Sequence, residues 1–338
     1  MNDSSFNLKN TSVYKYSAKC KEIRIEFNSA VHIPALILAF LIIFTNSFVM
    51  YLYWKNRTLR KTRGNISLIS LSIADLMTGV SVFGHLLPFY YIILADCSTL
   101  YNYFKASYFF FIDILTTGLT ITSVLHLLLL SSERFVSLYY ALRYTVIITK
   151  KRLIVLSLMA WIIGAFVAII QLSYIIPFIK APHRHHVKYE LSNKIYTVVT
   201  IGLFSVIPIF VLLFQYIWLF CLIRRLLKEN SRNHLKRFCL RESRGIIVNC
   251  IMFVTFILFC FPYLLMKVLL CLTYHAFSKL PSEFLEALFL LRFTISLTNP
   301  LIYAFYKKDF KESILKSFST SSKSILEVES KLKLNRRN

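Results

Sequence analysis

Charge is scarce in this chain: Asp, Glu, Lys and Arg make up 17% of its 338 residues, against about 25% in an ordinary soluble domain. Over such a length that deficit excludes a typical cytosolic protein. Acidic residues are the scarcest, 16 against 40 Lys and Arg, which leaves a formal charge of +24. Glycine is sparse too, at 7. The one G-x4-G spacing, Gly79 and Gly84, runs on into His85-Leu86 instead of Lys-Ser or Lys-Thr, so a phosphate-binding loop is absent. No G-x-G-x-x-G run occurs, which removes the dinucleotide fingerprint. No repeat of roughly 20–50 residues is present. Residues 1–28 are polar and hold no apolar core of the kind a cleavable signal peptide needs. The first apolar span is therefore expected to serve as the targeting signal.

Apolar residues fill the gap, at 57% of the chain, with a mean hydropathy of +0.60. High apolarity and high basicity cannot share one soluble surface, so they must be segregated along the sequence. A bilayer crossing needs about 20 consecutive apolar residues. Val31–Trp54, Leu153–Ile179, Ile195–Ile223 and Gly245–Met266 contain no charged residue, while Gly64–Ala95, Ala106–Ser132 and Ala287–Tyr306 hold one each: Asp75, Asp113 and Arg292. Backbone groups in lipid must be satisfied internally, so these seven spans are read as helices. The alternating segments of a β-barrel are missing. The predicted fold is an all-α membrane protein, a seven-transmembrane helix bundle. A tail over 1–28 precedes the bundle over 29–306, and a juxtamembrane segment over 307–318 and a tail over 319–338 follow it.

The basic residues occupy particular connections. Of the 40, 27 fall in loops 1, 3 and 5, in the C-terminal tail or at Arg134; 11 fall on the opposite side, and Lys267 and Arg292 lie within spans. The positive-inside rule places the side carrying the 27 in the cytoplasm and the N-terminus outside, the topology of a multi-pass plasma-membrane protein. The charge thus sets topology and is no sign of nucleic-acid binding. Two glycosylation sequons, at Asn2 and Asn10, fall in the outer tail. Two more, at Asn56 and Asn65, fall on the wrong side or within the membrane and are read as chance.

Ionisable groups inside spans are costly and default to functional hypotheses. Asp75 sits mid-span in Leu71-Ser72-Ile73-Ala74-Asp75-Leu76. Pro208, Pro262 and Pro300 each remove a backbone hydrogen bond from spans 5, 6 and 7 and permit a kink.

These residues carry a pattern. Asn46 in span 1, Leu-Ser-Ile-Ala-Asp in span 2, Glu133-Arg134-Phe135 at the inner end of span 3, Trp161 in span 4, Phe256 with Pro262 in span 6, and Asn299-Pro300-Leu301-Ile302-Tyr303 in span 7 occur in one order. Together they resemble the signatures of the rhodopsin-like G-protein-coupled receptors, over roughly residues 30–318. The resemblance implies a receptor that passes an extracellular ligand signal to a heterotrimeric G protein by outward movement of helix 6. An Arg at the position of Arg134 can pair with Glu133 and reach Glu242, which lies 20 residues before Pro262. Breaking such a pair is a discrete event suited to a switch; a solvated surface pair is the alternative. By resemblance, Tyr216 and Tyr303 turn inward when helix 6 swings out. Asp75 is expected in a polar cluster with Asn46, Ser123, Ser296 and Asn299, hard oxygen donors of the kind a small cation prefers. The family binds sodium at the matching positions, and a water-filled polar core is the other reading. Ile295 replaces a usual Asn beside Ser296. No other cofactor is implied, and no enzyme chemistry.

The transmission core departs from the family pattern. Pro208 and Phe256 remain and Val124 replaces the usual Ile, but Cys260 stands where the family keeps a Trp before Pro262. The outer disulfide is missing: Phe109 holds the helix-3 position, and Lys180 to Lys194 contain no Cys. One pair among Cys20, Cys97 and Cys271 could form in an oxidising compartment.

For a ligand pocket the candidates are His85, Asp113, Thr116, Thr117, Lys267 and Arg292. Thr116 lies 18 residues, five helical turns, before Arg134, where amine receptors carry an Asp. Arg292 lies seven residues before Asn299 and faces the bundle interior. Arg292 and Lys267 against Asp113 would accept an anionic or zwitterionic ligand; an internal Arg292–Asp113 pair is the alternative. An amine remains open if Asp113 substitutes for the missing Asp. Phe293 holds the position of the retinal-binding Lys of opsins, so no Schiff base can form. His183, His185 and His186 read as a zinc or pH site, or as part of a solvated basic loop.

Lys307-Lys308-Asp309-Phe310-Lys311 begins an amphipathic helix, lysines toward anionic membrane lipids. Ser317, Ser319, Thr320, Ser321, Ser322 and Ser324 form a hydroxyl cluster, read either as a target of receptor kinases that recruits arrestin or as a plain disordered tail. The alternatives to a working receptor are a receptor-like membrane protein that does not couple productively and a seven-span transporter.

Overall fold

The computed structural model describes residues 29–92, 99–140, 143–229, 233–273 and 281–317. The described residues contain helices and no strand. Helix α1 spans Ser29–Lys55, α2 Asn65–Ile92, α3 Thr99–Tyr139 and α4 Lys150–Ile170, which continues past Gln171 into Leu172–Lys180. Helix α5 is one rod made of Pro182–Ile201, a π-helical turn Gly202–Val206, and Ile207–Glu229. Helix α6 consists of Asn233–Phe259 and Phe261–Leu272, and α7 is Ser282–Tyr306. A short helix, α8, follows over 308–317. Seven of these helices are long and apolar enough to cross a membrane, in the positions expected from the sequence.

The exterior of the bundle is apolar. Ile162, Phe166, Phe210 and Phe214 are each more than 60% exposed. Polar side chains are inside: Asn46, Asn65, Ser72, Asp75 and His126 are fully buried. This inversion of the soluble pattern is what lipid demands, because tails are as apolar as Leu and only polar groups need shelter. Around the bundle α1 packs on α2 and α7, and α6 on α5 and α7, while α3 touches α2, α4, α5 and α6. Helix α3 is therefore the axis.

Helix α3 is held by two devices. The first is a chain of hydrogen bonds. The Thr122 carbonyl can only accept, so Nδ1 of His126 donates to it (2.8 Å), and in the neutral imidazole Nε2 is left to accept from the Ser70 hydroxyl (2.7 Å). The Ser70 oxygen accepts in turn from the Trp161 indole (3.0 Å), which ties α2, α3 and α4 together. The second is close backbone approach. A Cβ on Gly164 would sit 2.2 Å from Thr122 Oγ1 and 2.8 Å from the Gly118 carbonyl, so the α4 backbone closes directly on the Gly118 backbone and the Thr122 hydroxyl of α3.

Three expectations are adjusted. Of the three prolines, Pro208 follows the π-turn and Pro262 follows a break at Cys260, but Pro300 sits inside an uninterrupted α7. The Pro262 ring displaces the preceding turn; the Cys260 N–H still reaches the Phe256 carbonyl (2.9 Å). Lys180 to Lys194 is not a loop: Pro182 opens a helix that runs directly into α5. His183, His185 and His186 lie on it, and His186 faces Glu190 one turn on (3.7 Å), a surface contact. No cluster of three or more metal-ligating side chains occurs among the described residues. Finally, Lys307 does not join the exposed lysines of α8; it turns inward, as described below.

Gly164→Ala should lower the stability of the purified protein by about 1–3 kcal/mol, the usual cost of overpacking, read as a fall in thermal midpoint. Gly202→Ala should cause no such fall, because nothing lies within 4 Å of its added Cβ. Equal midpoints for the two variants would remove the close α3–α4 approach from the account.

Candidate functional site

At one end of α3, Glu133 is 1% exposed. Its Oε1 accepts from the Tyr144 hydroxyl (2.8 Å) and lies 3.6 Å from Nη2 of Arg134, while Oε2 has no partner. Two glycines make room for the pair. A Cβ on Gly64 would fall 2.6 Å from Glu133 Oε1 and 2.7 Å from Arg134 Nη2; one on Gly245 of α6 would fall 3.3 Å from Arg134 Cδ. Arg134 is thus packed against α6, one turn from Glu242, whose side chain lies outside the described residues. Nearby, the Asn249 amide donates to the Leu130 carbonyl (3.0 Å), a second α6–α3 tie. The Tyr216 ring lies 5.5 Å from that of Phe253 on α6. Tyr303 is fully buried, its hydroxyl without a partner.

Lys307, just past the last span, closes this end. Its ammonium donates to Asn65 Oδ1 and lies 5.7 Å from the Phe310 ring. Asn65 donates to the Leu59 carbonyl (2.9 Å). Asn65, a sequon residue by sequence alone, is therefore a buried link between α2 and the start of α8. Burial, reinforced by the charge of Arg134, pulls the Lys307 ammonium down from 10.5 to about 8.

Midway along the bundle, Ser296 Oγ donates to Asp75 Oδ1 (2.7 Å) and Asn299 Nδ2 to Oδ2 (2.8 Å). Asn46 Nδ2 donates to the Ser296 carbonyl (2.9 Å). Asp75, Ser296, Asn299 and Asn46 thus come together as expected, whereas Ser123 makes no hydrogen bond to Asp75, whose donors Ser296 and Asn299 both come from α7. Asn46 Oδ1, Asn299 Oδ1 and Ser72 Oγ are buried without partners. Hard oxygens in this number fit a small cation beside a carboxylate. Val124, Phe256 and Cys260 share one apolar cluster, with Ile209 of the Pro208 turn packed against it. Cys260 is buried where the larger ring is absent.

Toward the other end, a cavity of about 40 Å³ lies among α3, α5, α6 and α7. Thr117, Thr120, Thr200, Leu264, Lys267 and Arg292 are among its lining residues. Three other candidates do not line it. Thr116, rotated about 100° from Thr117, is buried and donates back to the Asp113 carbonyl (3.1 Å). His85 packs on Phe289, ring centres 4.9 Å apart. Asp113 pairs with Lys267 (3.4 Å), so the alternative Arg292–Asp113 pair is corrected: the Lys267 ammonium on α6 takes the carboxylate, and the Arg292 guanidinium is held among aromatic rings. Arg292 instead lies among the rings of Tyr263, Phe289 and Phe293, at 4.4, 4.7 and 4.4 Å.

Sequence reasoning missed this aromatic cage, the Tyr144 bond and the Asn65–Lys307 link. Tyr263 adjoins Pro262 and Phe289 lies one turn before Arg292, but only packing shows which rings meet the guanidinium. Asn249, a polar residue in an apolar span, was the legible signal. The thiol of Cys271 is free, while Cys20 and Cys97, like Asn2, Asn10 and the hydroxyl cluster beyond Ser317, lie outside the described residues.

A seven-helix bundle with an Arg-centred contact at one end, a buried carboxylate midway and a cavity at the other defines a membrane receptor. The family model for the 7 transmembrane receptor (rhodopsin family) matches residues 45–303, and the chain belongs to that family; it is a G-protein-coupled receptor and not an enzyme. It is similar to the Histamine H2 receptor of Cavia porcellus, 25% identical over 83% of this chain and 77% of the relative. The Adenosine receptor A3 of Canis lupus familiaris is 26% identical over 75% and 79%, and the Histamine H2 receptor of Homo sapiens 26% over 81% and 76%.

The Lys307 site predicts a pH dependence. With its folded value near 8 and its ordinary value at 10.5, the folded protein binds fewer protons between those limits, so stability from this group rises with pH there. Compared with Lys307→Met, the wild-type thermal midpoint should gain between about pH 7 and about pH 9.5; a constant difference would contradict the inward, half-buried placement.

Proposed function

We propose that this receptor sits in the plasma membrane with its N-terminus outside and its Arg134 end in the cytoplasm. A small extracellular ligand enters the cavity lined by Lys267 and Arg292 and favours a state in which α6 moves away from α3. That movement opens a crevice for the α subunit of a heterotrimeric G protein. The observation that carries the reading is the placement of Gly245 against Arg134, which makes the α3–α6 contact side-chain-free on one side and able to separate as a unit. The Glu133–Arg134 pair is a weak stabiliser, and a switch needs a contact of small net energy with two discrete states. A ligand shifts the population only as far as it prefers the open state. Cys260 replaces the large indole, so the signal passes through Val124, Phe256 and the break before Pro262. Tyr216 and Tyr303 support the opened crevice. Arrestin and receptor kinases act on the hydroxyl cluster, and α8 meets anionic lipid through Lys308, Lys311 and Lys316.

The ligand is not set by the relatives, whose names point to two different chemistries, histamine and adenosine. Thr116, buried and bonded to its own helix, supplies no carboxylate for an ammonium. A receptor that does not couple is the reading set aside, because the Glu133, Arg134 and Asn249 contacts are all in place.

Sodium is proposed at Asp75, with Ser296 and the unpartnered oxygens of Asn46 and Asn299 as further ligands. There it would supply charge neutralisation to a buried carboxylate.

Arg134→Ala should reach the cell surface normally and lose agonist-independent or ligand-driven G-protein activation by about tenfold or more, equivalent to about 1.4 kcal/mol. Normal activation in a surface-expressed variant would sink this role. Sodium chloride, against choline chloride at equal ionic strength, should raise the thermal midpoint of wild type by a few degrees and leave Asp75→Asn unmoved. An unchanged wild-type midpoint would remove the ion.

A further inference from the structure

Arg292 is 4% exposed, yet its Nε and Nη2 hydrogens have no acceptor. Among the described residues no carboxylate pairs with it; Asp113 is taken by Lys267. The three surrounding rings stabilise the charge through their faces, but a ring face does not satisfy donors lying in the guanidinium plane. The two unmet donors are adjacent. Nε–H and Nη2–H form one side of the guanidinium, and that side meets both oxygens of a carboxylate in two parallel hydrogen bonds. Arg292 also lines the cavity described above; Nε and Nη2 are themselves closed off, so an anion entering that space meets this edge once the surrounding rings give way. A buried cation with unmet donors is among the costliest arrangements in a low-dielectric interior, and an anion arriving in the cavity relieves it.

We propose that the ligand of this cavity is a small carboxylate, its two oxygens held by the Nε and Nη2 edge of Arg292. Its body lies along Thr117, Thr120, Thr200 and Leu264, a lining of methyl and hydroxyl groups that accepts a short, mostly apolar skeleton. Lys267 also lines the cavity, but its charge is engaged by Asp113, so it marks the wall and leaves anchoring to Arg292. A tetrahedral oxyanion can meet the same fork, so it is the methyl-rich lining that favours a carboxylate carried on an apolar skeleton. The inference rests on the receptor reading for where the ligand enters, but its chemistry comes from Arg292 and this lining.

The test is the thermal midpoint of the purified full-length receptor, with no G protein present, against hexanoate, benzoate and phenylacetate and their primary amides. Carboxylates should raise the midpoint of wild type and the matched amides should not. Arg292→Gln should weaken carboxylate binding about 10- to 100-fold, the loss expected for hydrogen bonds to a charged group. Arg292→Lys, which keeps the charge but not the paired donors, should retain only part of it and covers the case in which Arg292→Gln fails to fold. Equal stabilisation by amides, full carboxylate affinity in either variant, stabilisation by inorganic phosphate alone, or no shift with any of the three carboxylates would overturn the proposal. Arg134→Ala should keep the carboxylate shift, so a failure of coupling and a failure of ligand assignment give different results.

Discussion

Lipid offers a backbone amide no hydrogen-bond partner, and each span of this protein answers by pairing its amides within its own helix. Helix formation then exerts no pull between spans, because an apolar side chain is as comfortable in lipid as against a neighbour. What holds the bundle is the remainder: polar side chains that must be sheltered, and small residues that let backbones touch. The Thr122–His126–Ser70–Trp161 chain supplies the first. The Gly118–Gly164 approach supplies the second. Both converge on α3, which contacts four other helices and so becomes the member against which the others are positioned.

The same two devices reappear at the Arg134 end with a different balance. Gly64 and Gly245 let neighbours close on Glu133 and Arg134, but the pair itself is separated by 3.6 Å and one carboxylate oxygen is unmet. Tight packing around a loosely satisfied ion pair gives a contact that is well defined in place and cheap to break. The chain His126–Ser70–Trp161 is fully met and marks a part of the bundle built to stay.

Lys267, Lys307 and Arg292 each meet the cost of burial differently. Lys267 takes a carboxylate, Asp113. Lys307 takes a neutral amide oxygen, Asn65, and its ammonium falls to about 8. Arg292 takes aromatic faces and leaves its in-plane donors unmet. Arginine stays protonated in proteins, so it alone lacks the escape of losing its proton, which is why its unmet edge is the one that asks for an anion.

Sequence reasoning reached the helix count and the seven spans, because span length and helical period are properties of neighbouring residues; the Asp75 partners on α7 followed from the family resemblance. The cluster of Asp75 with Ser296 and Asn299 followed from one motif on each of two helices. The failures lie where two helices had to be rotated against each other. Asp113 chose Lys267 over Arg292, Ser123 stayed off Asp75, Thr117 and not Thr116 lined the cavity, and Lys307 turned inward. A basic stretch read as a loop proved helical, since nothing after Pro182 stops the helix that α5 continues. By itself, then, the sequence determined the solvent, the number of crossings and the polar residues needing shelter, all of which depend on composition along the chain. Which of those residues meet was decided only by tertiary structure: pairing across helices depends on side-chain reach and on rotations of about 100° per residue that no single segment encodes.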